Sequence, residues 1–409
     1  MNDPIRLATR GSDLALRQAG EVKSTLEDHR HDVELVEVET KGDRVSDALI
    51  SDLGKTGAFV RALDREVMDG NVDAAVHSMK DVPTDVPDEL VVAAVPHRRN
   101  PGDVLVTPDG TGIESLPAGS VVGTASLRRG AQVKAHRPDL EVEPVRGNVD
   151  TRVEKLLAPD LQAEHERRTE AEKERQSTDA RDQKRGDYSA DVEAGVENLD
   201  SEGGDGAENG GGEDGEGADS DGGTGESEDA EGSEFEQSVE EWFESLSPLQ
   251  QSALGREVDT ELDALVLARV GLERTGLVHH VEIEELATDT HVPSAGQGAL
   301  CITARRDSDV ADALRDALEH VRTRVETTTE RVVLEELGGG CIAPIGVHAL
   351  VQGEIVRTDV QVFSRDGTEQ VGETRELDAQ NYAAEARELA ADLRERGAAD
   401  LVEAARRED

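Results

Sequence analysis

The chain has 409 residues, enough for two or three domains that each bury a core of their own. Acidic residues outnumber basic ones 91 to 44, for a formal charge of −47, which argues against nucleic acid as a partner. The N-terminus, Met1-Asn2-Asp3-Pro4, has no basic or apolar leader and no apolar run approaches the roughly 18 residues of a membrane span, so a soluble cytoplasmic protein is expected. Arginine far outnumbers lysine, aromatic residues make up 2%, and the acid excess runs along the whole chain, as in a protein adapted to high salt. At molar salt the Debye length is roughly 3 Å, so such a field scarcely opposes an anionic substrate. Two cysteines, Cys301 and Cys341, allow at most one disulfide.

In chain order, residues 5–8 read as a strand, and residues 12–29 place Leu14, Ala15, Ala19, Val22 and Leu26 at helical spacing behind a serine cap. Residues 33–38 alternate as a strand, 57–68 form an amphipathic helix and 72–76 a short apolar strand. This alternation predicts a mostly parallel sheet covered on both faces, and residues 96–101, rich in proline, read as the crossing to a second unit. The second unit repeats the grammar: strand 120–122, helix 125–136, strand 140–145, helix 149–157, then, after an interruption, a buried strand at 262–268. Within the interruption, residues 165–185 mix both charge signs without an apolar stripe, which predicts a solvated helix or coil. Residues 201–234 hold no Lys or Arg and no apolar side chain larger than Ala, which predicts disorder. Phe235, Val239, Trp242, Phe243 and Leu246 then line one helical face, either docked on their own domain or presented to a partner's groove. After Gln297, helical segments lead to Cys341, followed by strands at 345–351, 355–363 and 370–377 with a hairpin turn at Asp366-Gly367, and helices at 382–394 and 398–405.

Several of these junctions carry groups suited to chemistry. His77-Ser78-Met79-Lys80-Asp81 would emerge at the carboxyl end of a strand, where open α/β sheets bind ligands. Lys80 and Asp81 are there either a surface pair or a carboxylate able to stabilise a developing cation or accept a proton. Arg10-Gly11-Ser12, Gly123-Thr124-Ala125-Ser126-Leu127-Arg128-Arg129 and Arg146-Gly147-Asn148-Val149-Asp150-Thr151-Arg152 each pair a helix start with guanidinium groups, which points to a polyanionic ligand. In Leu337-Gly338-Gly339-Gly340-Cys341 three glycines free the backbone of side chains beside a thiol, which is either an attachment point or a small buried hydrophobe.

Residues 5–12, 75–83, 123–129, 146–149, Gly296-Gln297-Gly298-Ala299 and Gly339-Gly340-Cys341 together resemble the motifs, in order, of the hydroxymethylbilane synthase (porphobilinogen deaminase) family. The resemblance runs from the N-terminus to about Arg407 and omits roughly 159–260. It implies a transferase that joins four porphobilinogen molecules head to tail with release of ammonia, giving hydroxymethylbilane for tetrapyrrole biosynthesis. It implies a dipyrromethane cofactor on Cys341 through a thioether, and Asp81 as the catalytic carboxylate that stabilises cationic azafulvene and pyrrole species. Lys80, Asp81, Thr124, Ser126, Arg128, Arg129, Arg146 and Gly147 would hold the cofactor, and Arg10, Ser12, Ser78, Arg146, Arg152 and Arg274 the substrate. Lys55 and Phe59 match a loop over the active site, no metal is called for, and a monomer is expected. Arg269 and Val270 depart from the family pattern around Arg274.

The fold implied is α/β: two periplasmic-binding-protein-like domains with a cleft between them, plus a C-terminal α+β domain. The expected bounds are 1–96 with 294–318 for the first, 97–293 for the second with the insertion 159–260, and 319–409 for the third. A partner of the acidic insertion is left open. The rival reading is a non-catalytic carboxylate-binding protein of the same fold, which explains the arginines but neither Asp81 nor the glycine-flanked thiol.

Overall fold

The computed structural model describes residues 3–38, 58–83, 87–196, 235, 237–339 and 343–407, with backbone alone for 58–61 and 179–196. The expected acidic coil at 201–234, Lys55, the side chain of Phe59 and Cys341 lie outside the described residues.

The chain opens with strand β1 (Ile5–Thr9), helix α1 (Asp13–Asp28), β2 (Val33–Glu37), α2 (Ala58–Met68), β3 (Ala74–Ser78) and β4 (Leu90–Ala94). It crosses to β5 (Asp103–Thr107), β6 (Val121–Thr124), α3 (Leu127–His136), β7 (Glu141–Pro144) and α4 (Val149–Val196). Helices α5 (Val239–Ser245) and α6 (Pro248–Leu254) precede β8 (Ala264–Ala268), α7 (Arg269–Thr275) and β9 (Glu282–Glu285). Strand β10 (Leu300–Arg305), α8 (Asp309–Leu318) and α9 (Val321–Glu336) follow. The last part is β11 (Ile345–Gln352), β12 (Ile355–Phe363), β13 (Gln370–Asp378), α10 (Tyr382–Leu393) and α11 (Ala399–Arg407).

The strands form three sheets: β2-β1-β3-β10-β4, β7-β6-β8-β5-β9 and β11-β12-β13. In the first, β1 runs parallel to β2 and β3, whereas β10 is antiparallel to both β3 and β4. In the second, β6 is parallel to β7 and β8, whereas β5 is antiparallel to β8 and β9. Both sheets are therefore mixed, which corrects the expectation of mostly parallel ones. The cause is the double crossing: β5 enters the second sheet from the first, and β10 returns to the first after β9, so each arrives against the local direction. Strand β10 also corrects the expectation that only helices follow Gln297. Its run Leu300-Cys301-Ile302 is buried on both faces, and such runs lack the alternation that marks a half-buried strand.

Local chemistry accounts for the rest of the frame. Ser12 caps α1 by accepting from the Ala15 amide, and Ala19, Val22 and Leu26 turn inward onto Leu7, Val76 and Ile302. In the third sheet Asp366 accepts from Ser364 Oγ and the Thr368 amide, while Gly367 takes φ 72°, closing the β12–β13 hairpin where Asp366-Gly367 was expected.

Helix α4 does not stop at Leu157 but runs through Pro159 to Val196. The mixed charges support this by pairing one turn apart, Glu164 with Arg167 and Arg168. Residues 159–254 form a compact unit of their own. In it the Arg168 guanidinium lies 4.3 Å from the Phe235 ring centroid and 5.1 Å from that of Trp242, and Ser238 and Glu241 form a capping box for α5. Trp242 is buried but Phe243 is exposed, so the expected stripe is only partly inward.

One buried ion pair ties four segments together. Arg98, in the first crossing, donates to both oxygens of Glu330 on α9 at 2.7 and 3.2 Å. Arg98 Nε donates to the Gln297 carbonyl, while Glu330 also accepts from the amides of Gly296 and Ala349 at 2.7 and 2.8 Å. Removing one member of such a pair leaves the other charge buried without compensation. Glu330→Ala should therefore lower the unfolding free energy by about 3–5 kcal/mol. Denaturant unfolding at molar salt checks this, and a change below about 1 kcal/mol would contradict the role given to the pair.

Candidate active site

Residues 296–299 touch both the turn that follows β3 and the arginine cluster of the second sheet. Strand β3 ends in a 3-10 turn, Met79–Asp81, which leaves Lys80 and Asp81 exposed, Ser78 half-buried and Met79 buried. Among the described residues neither Lys80 nor Asp81 has a hydrogen-bond or ion-pair partner. The turn is positioned through its backbone: the Met79 amide donates to the Ala299 carbonyl at 3.0 Å. Gly296, at φ 74°, packs so closely that a Cβ there would lie 2.7 Å from Met79 Cγ and 3.2 Å from the Lys80 nitrogen. Gly298, at φ 85°, leaves equally little room against the Arg99 carbonyl, where a Cβ would sit at 2.6 Å. Only glycine fits both positions.

Between these glycines Gln297 reaches the second sheet. Its amide nitrogen donates to Asp103 Oδ1 at 2.7 Å and its carbonyl oxygen accepts from Arg129 Nη2 at 3.1 Å. Asp103, fully buried at the start of β5, is shared by two arginines: Arg128 Nη2 at 2.8 Å and Arg129 Nη2 at 2.9 Å. Burial alone would push the Asp103 carboxyl up, but the two guanidinium charges hold it well below the usual carboxylate range. Arg128 also donates to Gln132 and the Val292 carbonyl, and its Nε is buried without a partner. Two cations to one anion leave this cluster net positive.

Arg152, on the first turns of α4, extends it. Burial, and then the nearby charge of Arg129, bring its pKa down to about 10, and its Nε is buried without a partner. Arg146 is exposed and precedes Gly147, which turns the chain into α4 at φ 111°. Thr124 is buried at the end of β6, its hydroxyl donating to the Val266 carbonyl and accepting from the Ser126 amide, so Ser126 stands at the start of α3 with its hydroxyl uncommitted to the helix. On the first sheet's side, Ser12 caps α1 and Arg10 is half-buried. Arg274, on α7, is buried, with its pKa lowered by burial against the opposing pull of Glu21. Glu21 Oε1 lies 3.6 Å from its Nε. Arg269 pairs with Glu273 and Glu285, facing β9 and not adding a free cation.

Cys301 sits in β10 with no exposure, and burial pushes its pKa up to about 12, the state of an inert core sulfur. Cys341 follows α9 and Gly338-Gly339 in the chain but lies outside the described residues.

Sequence reasoning missed Asp103, Gln132, Glu330 and Arg331. Asp103 did carry a signal, an acid at the head of the apolar run 104–106; the others sit on helix faces that read as ordinary surface. Buried guanidinium nitrogens without partners beside a net positive cluster fit a group bearing several carboxylates, as a dipyrromethane does.

Two sequence families match this chain. One, described as "Porphobilinogen deaminase, dipyromethane cofactor binding domain", covers residues 5–164 and 250–313; the other, "Porphobilinogen deaminase, C-terminal domain", covers 325–397. A probable porphobilinogen deaminase of Halobacterium salinarum is 78% identical over 406 residues, 99% of this chain and 98% of its own. That of Methanopyrus kandleri is 34% identical over 372 residues, 90% of each chain. The porphobilinogen deaminase of Brevibacillus brevis is 30% identical over 408 residues, 99% of this chain and 98% of its own. The chain belongs to the porphobilinogen deaminase family. Among the described residues no helix is long and apolar enough to cross a membrane.

The site carries a pH signature through His291, which precedes Val292. Burial, followed by the charge of His136, lowers its pKa to about 4, and its Nε2 is buried without a partner. The unfolded chain takes up a proton near pH 6.5 and the folded protein only near 4, so stability is full above about 6.5 and falls as pH drops between these values. His291→Gln should flatten this fall, on the order of 2 kcal/mol, in unfolding curves at pH 4–7. An unchanged pH slope would contradict it.

Proposed function

We propose that this protein is a hydroxymethylbilane synthase: it condenses four porphobilinogen molecules head to tail, releases ammonia at each step, and grows the linear tetrapyrrole on a dipyrromethane tied to Cys341 by a thioether. The observation that carries the reading is residues 296–298, where one short loop supports the Asp81 turn through Gly296 and the Arg128–Arg129–Asp103 cluster through Gln297. A carboxylate without a side-chain partner among the described residues is thereby linked, through one stretch of backbone, to a desolvated cationic cluster.

When bound, the dipyrromethane supplies the free pyrrole α-carbon to which each new unit is joined. Arg128, Arg129, Arg146 and Arg152 hold acetate and propionate groups, Lys80, Thr124, Ser126 and Gly147 assist, and Arg10, Ser12, Ser78 and Arg274 receive the incoming substrate. Asp81, exposed and without a side-chain partner among the described residues, accepts hydrogen bonds from pyrrole N–H groups and stabilises positive charge as the amine leaves, and then takes or returns the proton lost at the joined carbon. Phe59 falls within helix α2 and not in a loop, which corrects that part of the expected cover over the site. The inertness of Cys301 supports Cys341 as the attachment point.

The reading extends to the whole protein: a cytoplasmic monomer without nucleic-acid partners, in three domains. These are 1–96 with 294–318, 97–293 with the insertion 159–260, and 319–409, supported by the three sheets and the two crossings between the first two. The insertion stands apart from the chemistry, since residues 165–249 lie outside both family matches.

Asp81→Asn keeps the shape and loses the charge, so it should fold normally and lose two to four powers of ten in rate, about 3–5 kcal/mol of barrier. Near wild-type turnover in a rate assay would remove Asp81 from the mechanism. Cys341→Ser should abolish turnover while Cys301→Ser keeps most of it; the reverse pattern would move the attachment to the wrong sulfur.

A further inference from the structure

The segment leaving the Asp81 turn is held by a residue to which no role has yet been given. The Val82 amide donates back to the Met79 carbonyl at 3.2 Å, and the next residue is Pro83, which has no amide hydrogen to anchor the chain further. The anchor comes from α9. Arg331 Nη1 donates to the Val82 carbonyl and Nη2 to the Pro83 carbonyl, both at 2.7 Å. Among the described residues no carboxylate lies within ion-pair distance of this half-buried guanidinium, so its charge is met by these two consecutive carbonyls. Its titratable neighbours are Glu335 on its own helix and the neutral Cys301 thiol of β10.

The turn is thus gripped from two sides. Upstream, Gly296 and the Ala299 carbonyl fix Met79 and Lys80; downstream, the planar fork of Arg331 fixes Val82 and Pro83. Asp81 lies between the two grips and has no side-chain partner among the described residues, so the backbone on either side of it sets where its carboxylate can stand. Helix α9 ends at Glu336, and Gly338 and Gly339 lead from it toward Cys341.

We infer that Arg331 is a positioning residue for the reaction: it fixes the place of the Asp81 carboxylate by clamping the two carbonyls that follow it, from the helix that leads to Cys341. The inference rests on the role proposed above for Asp81. Lysine cannot replace it fully, because a point ammonium lacks the fork that reaches both carbonyls at once.

The test uses the full-length enzyme at molar salt. Arg331→Met keeps most of the length and loses the donors. It should lower kcat by about 10- to 100-fold, the scale of a misplaced catalytic group, with KM within about threefold and cofactor loading by intact mass unchanged. Arg331→Lys should recover part of the loss. If Arg331→Met does not fold, a cycle of Arg331→Lys with Asp81→Glu decides: one fixed position for the carboxylate predicts effects far from multiplicative, whereas independent sites predict a simple product. Unchanged kcat in a folded Arg331→Met enzyme, a loss explained wholly by missing cofactor, or a multiplicative cycle would each overturn the inference. Asp81→Asn with Arg331 intact keeps the two readings apart: full activity there would reject the role of Asp81 and the inference with it, whereas an inactive Asp81→Asn beside a fully active Arg331→Met would reject the positioning role alone.

Discussion

Asp103 is the carboxylate on which the site depends. Buried at the head of β5, it compensates one of the two positive charges that Arg128 and Arg129 bring into a desolvated region, so the three groups together stay net positive. Without it two guanidinium groups would face each other across a low-dielectric gap, a far costlier arrangement than one shared ion pair. With a second carboxylate the cluster would be neutral and would have little reason to attract an anion. Arg152 adds a further cation whose Nε is buried and without a partner. The resulting surface suits a ligand that carries many carboxylates, and a growing pyrrole chain gains two with every unit.

The same economy of connection appears in α9. Glu330 holds Arg98 and the Gly296 amide, while the adjacent Arg331 holds the carbonyls after Asp81. Neighbouring residues on one helix thus brace the loop of residues 296–298 and the turn it supports. The second crossing, between β9 and β10, carries that loop, so the place where the chain passes between sheets is also where the Asp81 turn and the arginine cluster are joined.

Much of this was legible because the motif residues are unusual where they stand. Glycines at 296 and 298 and polar groups at strand ends interrupt apolar runs, and β12 fell where alternation put it, at residues 355–363. What escaped was nonlocal. Arg98 finds Glu330 across 232 residues and Asp103 finds Arg128 across 25, and no local period announces either partner. Strands β5 and β10 were missed because both are buried throughout nearly all their length, and α4 was cut short because Pro159 reads as a stop unless the residues beyond it support the helix. Cys341, read from its glycines and its motif, lies outside the described residues, so its role rests on family membership and on the inertness of Cys301.

The central claim is that the pyrrole chain is built on a primer bonded to Cys341, and mass spectrometry of the intact protein at high salt tests it most directly. The account predicts a protein heavier than its sequence by one dipyrromethane, gaining discrete increments of one pyrrole when substrate is limiting, with every increment on the peptide that contains Cys341. Active enzyme with the mass of the bare chain, or an adduct on Cys301, would contradict it.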